Sequence, residues 1–287
     1  MPQSPERTHP VIERRPILKL LGAGAALSLG SGTVAADGDA EGDIDPLYGY
    51  ATPDADSVPD EFDPDYEVEL HVDLPADLEN PERPPLFHFE PTGLAVEPGD
   101  IVQFTAVQPD HSVTAYHPGI GFQQRVPAGV PPFSSPVLSV GAAWLYQFEE
   151  PGIYDIYCGP HHVLGMVMRL VVGDVETTPD YVGTFEGQPA TDDQPLLFGP
   201  FSQAFLEHEL NAVSDVNEGC EWPWVTPEEV LSAPALDPER IQEEETVPFE
   251  DVLADIDRFG SLETDAEAGT ETETEATGRP ATSGRVT

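Results

Sequence analysis

The sequence predicts an all-β sandwich followed by a partly helical C-terminal extension. Three observations carry that reading. Between Tyr66 and Val172 short runs alternate apolar with polar residues, the pattern of half-buried strands. Turn signals such as Glu97-Pro98-Gly99-Asp100 and Glu150-Pro151-Gly152 separate the runs, as sandwiches require. Beyond Asp174 the apolar spacing changes to that of helices.

Taken in order, residues 1–36 read as an export signal. Arg14-Arg15-Pro16-Ile17-Leu18-Lys19 is similar to the twin-arginine motif, and a Gly/Ala-rich apolar run leads to small residues at Val34-Ala35-Ala36, the expected cleavage point. Residues 37–64 are acidic and rich in Gly, Pro and Asp, which predicts a solvated linker. The sandwich domain is expected over 65–175. Its strands are Tyr66 to Leu74, Leu86 to Phe89, Leu94 to Val96, Ile101 to Val107, Trp144 to Phe148, Ile153 to Tyr157 and Met168 to Val172. Within these, Ile153 is out of phase with Tyr154 and Ile156. Residues 117–136 form a Pro/Gly-rich loop expected over one end of the sandwich.

The extension, 176–260, has helical spacing at Gln203 to Val213. Thr226-Pro227-Glu228-Glu229 offers an N-cap, a first-turn proline and a capping-box glutamate, Asp237-Pro238 repeats the start signal, and Phe249, Val252, Leu253, Ile256 and Phe259 make a third stripe. Clustering of Phe201, Phe205, Trp222 and Trp224 suggests that it caps the sandwich at a distance from the loop around Cys158. Residues 261–287 are Glu/Thr/Ala/Gly-rich without periodicity, an expected disordered acidic tail.

The formal charge is −43, and residues 37–287 carry seven arginines, no lysine and 52 acidic groups. Such a surface repels phosphates, so nucleic-acid binding and docking to acidic lipids are disfavoured. With an apolar alternation intact in the middle of the chain, the acidity describes a folded protein in high salt, where counterions screen self-repulsion. Neither a lipid-anchored cysteine nor a transmembrane run is evident in the mature part.

The chemistry concentrates in Tyr157-Cys158-Gly159-Pro160-His161-His162-Val163-Leu164-Gly165-Met166. A thiol, an imidazole three residues later and a thioether five beyond that lie on one tight loop. His111, just past a strand end, offers a second imidazole. One thiolate, two imidazoles and a weak thioether are the ligand set of a blue-copper electron-transfer centre. His111, Cys158, His161 and Met166 are therefore the expected ligands of one mononuclear type 1 copper. Zinc is the chemical rival, since a Cys-His-His set suits it too; the thioether and the loop spacing favour copper. Ser112 is placed to tie the two ligand segments together. His162 is expected as a solvated neighbour, His117 as a loop residue, and His71, His88 and His208 as structural or surface groups. A thiol held by metal leaves the second cysteine, Cys220, unbridged and expected as a small buried hydrophobe.

The loop block, with Pro151-Gly152-Ile153-Tyr154 before it and Arg169-Leu170-Val171-Val172 after it, resembles the plastocyanin and pseudoazurin branch of the cupredoxins. So do Val96-Glu97-Pro98-Gly99-Asp100-Ile101-Val102-Gln103-Phe104 and His111-Ser112-Val113, although this family usually has Asn at the position of Ser112. With the twin-arginine signal and the acidity, the resemblance is nearest to the halocyanins of salt-loving archaea. It covers about residues 66–174 and implies a Greek-key β-sandwich, a type 1 copper, one-electron transfer and His161 as the solvent-facing ligand. The function expected from this is a monomeric electron carrier outside the cytoplasmic membrane, exchanging electrons with redox proteins of a membrane chain and turning over no small-molecule substrate. A copper-delivery module, in which the metal is cargo, is the alternative. Catalysis is not expected, because the chain lacks the His-x-His pairs and His-Cys-His bridge of multicopper oxidases.

Overall fold

The structure, a computed structural model, describes residues 44–75, 83–193, 195–212 and 219–259. The export signal, the start of the linker and the acidic tail lie outside the described residues. Ten strands appear in chain order: β1 (Tyr50–Thr52), β2 (Tyr66–Asp73), β3 (Leu86–Glu90), β4 (Gly93–Val96), β5 (Asp100–Ala106), β6 (Thr114–Ala115), β7 (Ala143–Phe148), β8 (Gly152–Tyr157), β9 (Val167–Val172) and β10 (Thr246–Val247). Among the described residues the extension contains the α-helices α1 (Gln203–Ala212), α2 (Pro227–Ser232), α3 (Pro238–Glu244) and α4 (Phe249–Ala254). The strands form two five-stranded sheets, ordered β1-β7-β5-β2-β3 and β10-β4-β9-β8-β6. The all-β sandwich with a partly helical extension is therefore the observed architecture.

Alternation within the strands builds the core between the sheets. In β2, Tyr66, Val68 and Leu70 point inward while Glu67 and Glu69 face solvent. The parallel β2–β5 pairing sets Val68 opposite Phe104, and the antiparallel β5–β7 pairing sets Phe104 opposite Trp144. The turn into β5 closes locally: Asp100 Oδ2 accepts from Glu97 N–H at 2.7 Å, and Gly99 takes φ +93°, a left-handed value that favours glycine.

Strands β8 and β9 supply two cores at once. Tyr154, Ile156, Met168, Leu170 and Val172 face the opposite sheet. Ile153, Tyr157, Val167 and Val171 face outward, onto a second core shared with Val230, Leu236, Ile241 and Val252 of the extension. Ile153 is out of phase because both faces of its strand are buried, as in sheets covered on two sides. The capping box foreseen at Thr226 forms, with Glu229 N–H reaching Thr226 Oγ1 at 3.3 Å and Thr226 N–H reaching Glu229 Oε2 at 2.8 Å. Asp237 caps α3 by accepting from Glu239 N–H.

The second core also encloses three charges. Asp155 of β8 sits opposite Arg169 of β9 and accepts from its Nε at 2.8 Å. Arg125, from the Pro/Gly-rich loop, donates to the other carboxylate oxygen at 2.9 Å. All three side chains are essentially inaccessible to solvent. The spare guanidinium donors reach carbonyls of the extension, Arg125 to Thr184 O at 2.6 Å and Arg169 to Leu236 O at 2.7 Å.

Two expectations are corrected here. The described part of the linker, residues 44–64, packs against the sandwich. Strand β1 pairs with β7, Ile44 and Phe62 bury beside Leu145, and Trp144 Nε1 and Tyr146 Oη donate to the carbonyls of Tyr48 and Pro46 at 2.7 and 2.9 Å. Its large apolar residues are too far apart to show a period, and its partners lie far along the chain, so composition alone suggested solvation. Cys220, expected buried, is exposed; Asn211 takes its backbone N–H and carbonyl instead.

Candidate metal centre

The first donor segment leaves β5 and turns at Asp110, which adopts φ +69°, a conformation Asp tolerates better than most residues. Backbone bonds with Leu138 fix this turn on both sides of the next residue: Asp110 N–H donates to Leu138 O at 3.0 Å and Leu138 N–H to His111 O at 2.7 Å. His111 is thereby held fully buried. The second segment leaves β8 at Tyr157. Cys158 N–H donates to Met166 O at 3.0 Å, so the loop closes on itself between its first and last donor. Inside it a 3₁₀ turn spans His162–Leu164, and Gly165 ends that turn at φ +84°. His161 O accepts from both Leu164 and Met166 N–H, making His161 to Met166 one compact unit.

This backbone brings the four sequence-predicted donors together. Cys158 Sγ lies 3.8 Å from His111 Nδ1 and 3.6 Å from His161 Nδ1, and the two Nδ1 atoms are 3.2 Å apart. Met166 Sδ is 3.1 Å from His111 Nδ1. The point equidistant from the sulfur and the two nitrogens is about 2 Å from each, the length of a first-row metal–nitrogen bond. Three strong donors around one point with a thioether beside them fit a single ion that prefers mixed nitrogen and sulfur ligation. Among the described residues no other cluster of three or more His, Cys, Asp or Glu donors has this convergence.

The surroundings favour neutral donors. Burial, then the neighbouring His161, pushes His111 down to about 4. Burial lowers His161 as well, opposed by the Asp110 carboxylate. Burial pushes the Cys158 thiol up to about 11, partly offset by bonds from Ser112 and His161. An ion entering this site therefore meets lone pairs on both imidazoles and must displace only the thiol proton. Ser112 ties the two segments as its position suggested: its N–H points to Cys158 Sγ at 3.4 Å and its Oγ accepts from Gly159 N–H at 2.8 Å.

Other contacts were not legible. Phe87 of β3 stacks on the half-buried His161 ring at 4.3 Å. His162, expected in solvent, is buried among Tyr116, Phe122, Tyr157 and Phe201, and burial pushes it down to about 3. Nor does the extension stay clear of the loop, since Phe201 lies 4.8 Å from His162. His117 is the loop residue expected, capping a 3₁₀ turn through Gly119 N–H. His88 is buried between His71 and Phe249, and Met168 lies in the inner core.

The two-sheet sandwich thus carries a Cys-His-His cluster with a thioether beside it at one end of its core, a donor set that suits copper. Residues 80–173 match the family model for copper binding proteins of the plastocyanin/azurin family. Over 96 residues, 33% of this chain and 60% of the relative, the sequence is 32% identical to pseudoazurin of Paracoccus pantotrophus. Over 86 residues, 30% of this chain and 51% of the relative, it is 36% identical to a putative pseudoazurin of Rhizobium leguminosarum bv. viciae. The chain thus spans between about half and three fifths of the length of these curated relatives. Among solved structures, pseudoazurin of Methylobacterium extorquens AM1 aligns with a TM-score of 0.30 at 24% identity, covering 38% of this chain and 76% of its own.

Proposed function

We propose that the protein is a type 1 copper protein that carries single electrons outside the cytoplasmic membrane. Copper would be held by His111, Cys158 and His161, with the Met166 thioether as a weaker fourth donor. The observation that carries this reading is the convergence of the two Nδ1 atoms and the thiol sulfur within 3.8 Å of one another, with the thioether 3.1 Å from one of them. Bound there, copper supplies a one-electron Cu(II)/Cu(I) couple. The chain supplies the rest. Backbone bonds through Leu138 and across the loop from Cys158 to Met166 hold the donors in one arrangement, which limits rearrangement between oxidation states. The half-buried edge of His161 is the route for electrons, and the buried donors keep water from the metal.

The pseudoazurin relatives support the copper assignment. The acidic composition and the twin-arginine segment support export into high salt in the manner of the halocyanins. In this reading the protein is a monomer that meets redox proteins of a membrane electron-transfer chain, and it turns over no substrate. Among the described residues no helix is long and apolar enough to cross a membrane.

The test is the visible spectrum of the purified protein titrated with Cu(II) in multimolar salt, beside Cys158→Ser. An intense blue band, bleached by reductant, restored by oxidant and absent from the variant, is the expected result. Colourless copper would sink the reading. Loss of Cu(I) to a competing chelator at each reduction would point instead to copper delivery.

A further inference from the structure

The ligand loop is braced from outside by the extension. His162 is the neighbour of a proposed ligand, and its ring turns away from the metal donors into an aromatic pocket on the outer face of the β8–β9 sheet. There its Nε2 meets the hydroxyl of Tyr116 at 2.5 Å, with both side chains buried. The ring lies 4.6 Å from Tyr157, which precedes Cys158, and 4.8 Å from Phe201 of the extension. Three residues on, the backbone of Gly165 passes beneath Val225: a Cβ at position 165 would stand 2.8 Å from Val225 O. Val225 is itself buried. The segment from His161 to Met166 is therefore gripped at two points, by a hydrogen bond at His162 and by close backbone approach at Gly165.

Resting on the type 1 copper reading, we infer that His162 is a positioning residue, and that its bond to Tyr116 sets where the Met166 thioether stands relative to the other three donors. The 3₁₀ turn that begins at His162 ends at Gly165, and Gly165 N–H donates to His162 O at 3.1 Å. Rotation or displacement of His162 thus carries through one short turn into Met166. On the other side Met166 is held by Cys158 N–H. Only the His162 end of the turn is anchored by a side chain, and that anchor is a pair of buried polar atoms with one another as partners. An unpaired buried hydroxyl or imidazole costs more than the bond itself contributes, so the pair has one preferred geometry. The axial donor is a determinant of potential in such sites. Phe201 and Val225 of the extension support this brace from outside.

Tyr116→Phe removes the hydroxyl and keeps the ring; His162→Phe removes the imidazole partner from the other side; His162→Gln retains a polar partner. In the copper-loaded protein each Phe variant is expected to weaken Cu(II) affinity by about tenfold, as loss of an outer contact commonly does. The reduction potential should rise, because a loosened thioether donates less to Cu(II), and the ratio of the visible bands should change. The double variant should be little worse than either single one, since both remove the same bond. His162→Gln should recover part of the shift. Unchanged affinity, potential and spectrum, with only a lower melting temperature of the metal-free protein, would overturn the inference and leave a packing contact. If Tyr116→Phe does not fold, His162→Phe and His162→Gln test the same bond from its other side, and an unshifted potential and spectrum in both count equally against it. A wild-type protein with no thiolate–copper band would instead remove the copper reading, and this inference with it.

Discussion

The two faces of the β8–β9 sheet bury different chemistry. The inner face packs Tyr154, Ile156, Leu170 and Val172 against the core of the other sheet, with the proposed metal donors at one end. The outer face packs against the extension and encloses Asp155 between Arg125 and Arg169. Apolar packing is non-directional and tolerates repacking. A buried ion triad is less tolerant, because removal of its one carboxylate leaves two buried guanidinium groups without a counter-charge. The outer face thus fixes how the extension docks, through guanidinium bonds to Thr184 O and Leu236 O, while the inner face fixes the sandwich.

Removing the keystone of the outer face should have the largest effect. Asp155→Ala strands two buried arginines and is expected to cost about 3–5 kcal/mol, read by denaturant unfolding, with proteolysis in the first part of the extension preceding loss of the sandwich. A cost below about 1 kcal/mol would mean that the triad does not hold the extension. Leu170→Ala, on the inner face of the adjacent strand, should cost about 3 kcal/mol and lower the stability of both regions in one transition. Separate transitions would show that the two cores are not one cooperative unit.

His88 sharpens the comparison through pH, because it is buried where the extension meets the other sheet, stacked on Phe249 at 4.4 Å. Burial, then His71, pushes it down to about 3 from an ordinary 6.5. Between those values the unfolded chain binds a proton that the folded chain does not. Its contribution is therefore complete above about pH 6.5 and falls as the pH drops toward 3, by up to about 1 kcal/mol per pH unit. His88→Leu should flatten that slope in metal-free protein, measured by urea unfolding at several pH values; an unchanged slope would assign the acid sensitivity to other groups. The smallest effect is expected from Thr226→Ala, which loses the capping box of α2 and should cost about 1 kcal/mol, with the copper site unaffected.

The same contrast explains what the sequence disclosed. The inner core was legible because period-2 alternation depends only on neighbours along the chain, and the donor set because three of its four members share one loop. The outer core showed on the extension side as the stripe Phe249, Val252, Leu253, Ile256 and Phe259, and on the sheet side only as Ile153 out of phase. The burial of Ile153 makes sense only with partners far along the chain, such as Val230, Leu236 and Ile241 in the core that it shares with the extension, and Arg169 donates to Leu236 O there. His162 was misread because an exposed-looking loop position gave no sign of the aromatic pocket formed by Tyr116 and Phe201. The N-terminal arm was misread because β1 is three residues long and pairs with a strand from the far end of the domain.

Strands β1 and β10 each cover one edge of a sheet. Each is a two- or three-residue strand lying on an outermost position of a sheet, beside β7 and β4 respectively. An uncovered strand offers unpaired N–H and C=O groups to any other chain, and proteins commonly discourage such pairing with charged side chains. Charge repulsion of that kind fades when ions shorten its range to about 3 Å at 1 M salt. Backbone groups already paired within the molecule offer nothing to a neighbour at any ionic strength. The arm and the extension therefore cover the β7 and β4 edges of the sandwich by a means that salt does not weaken.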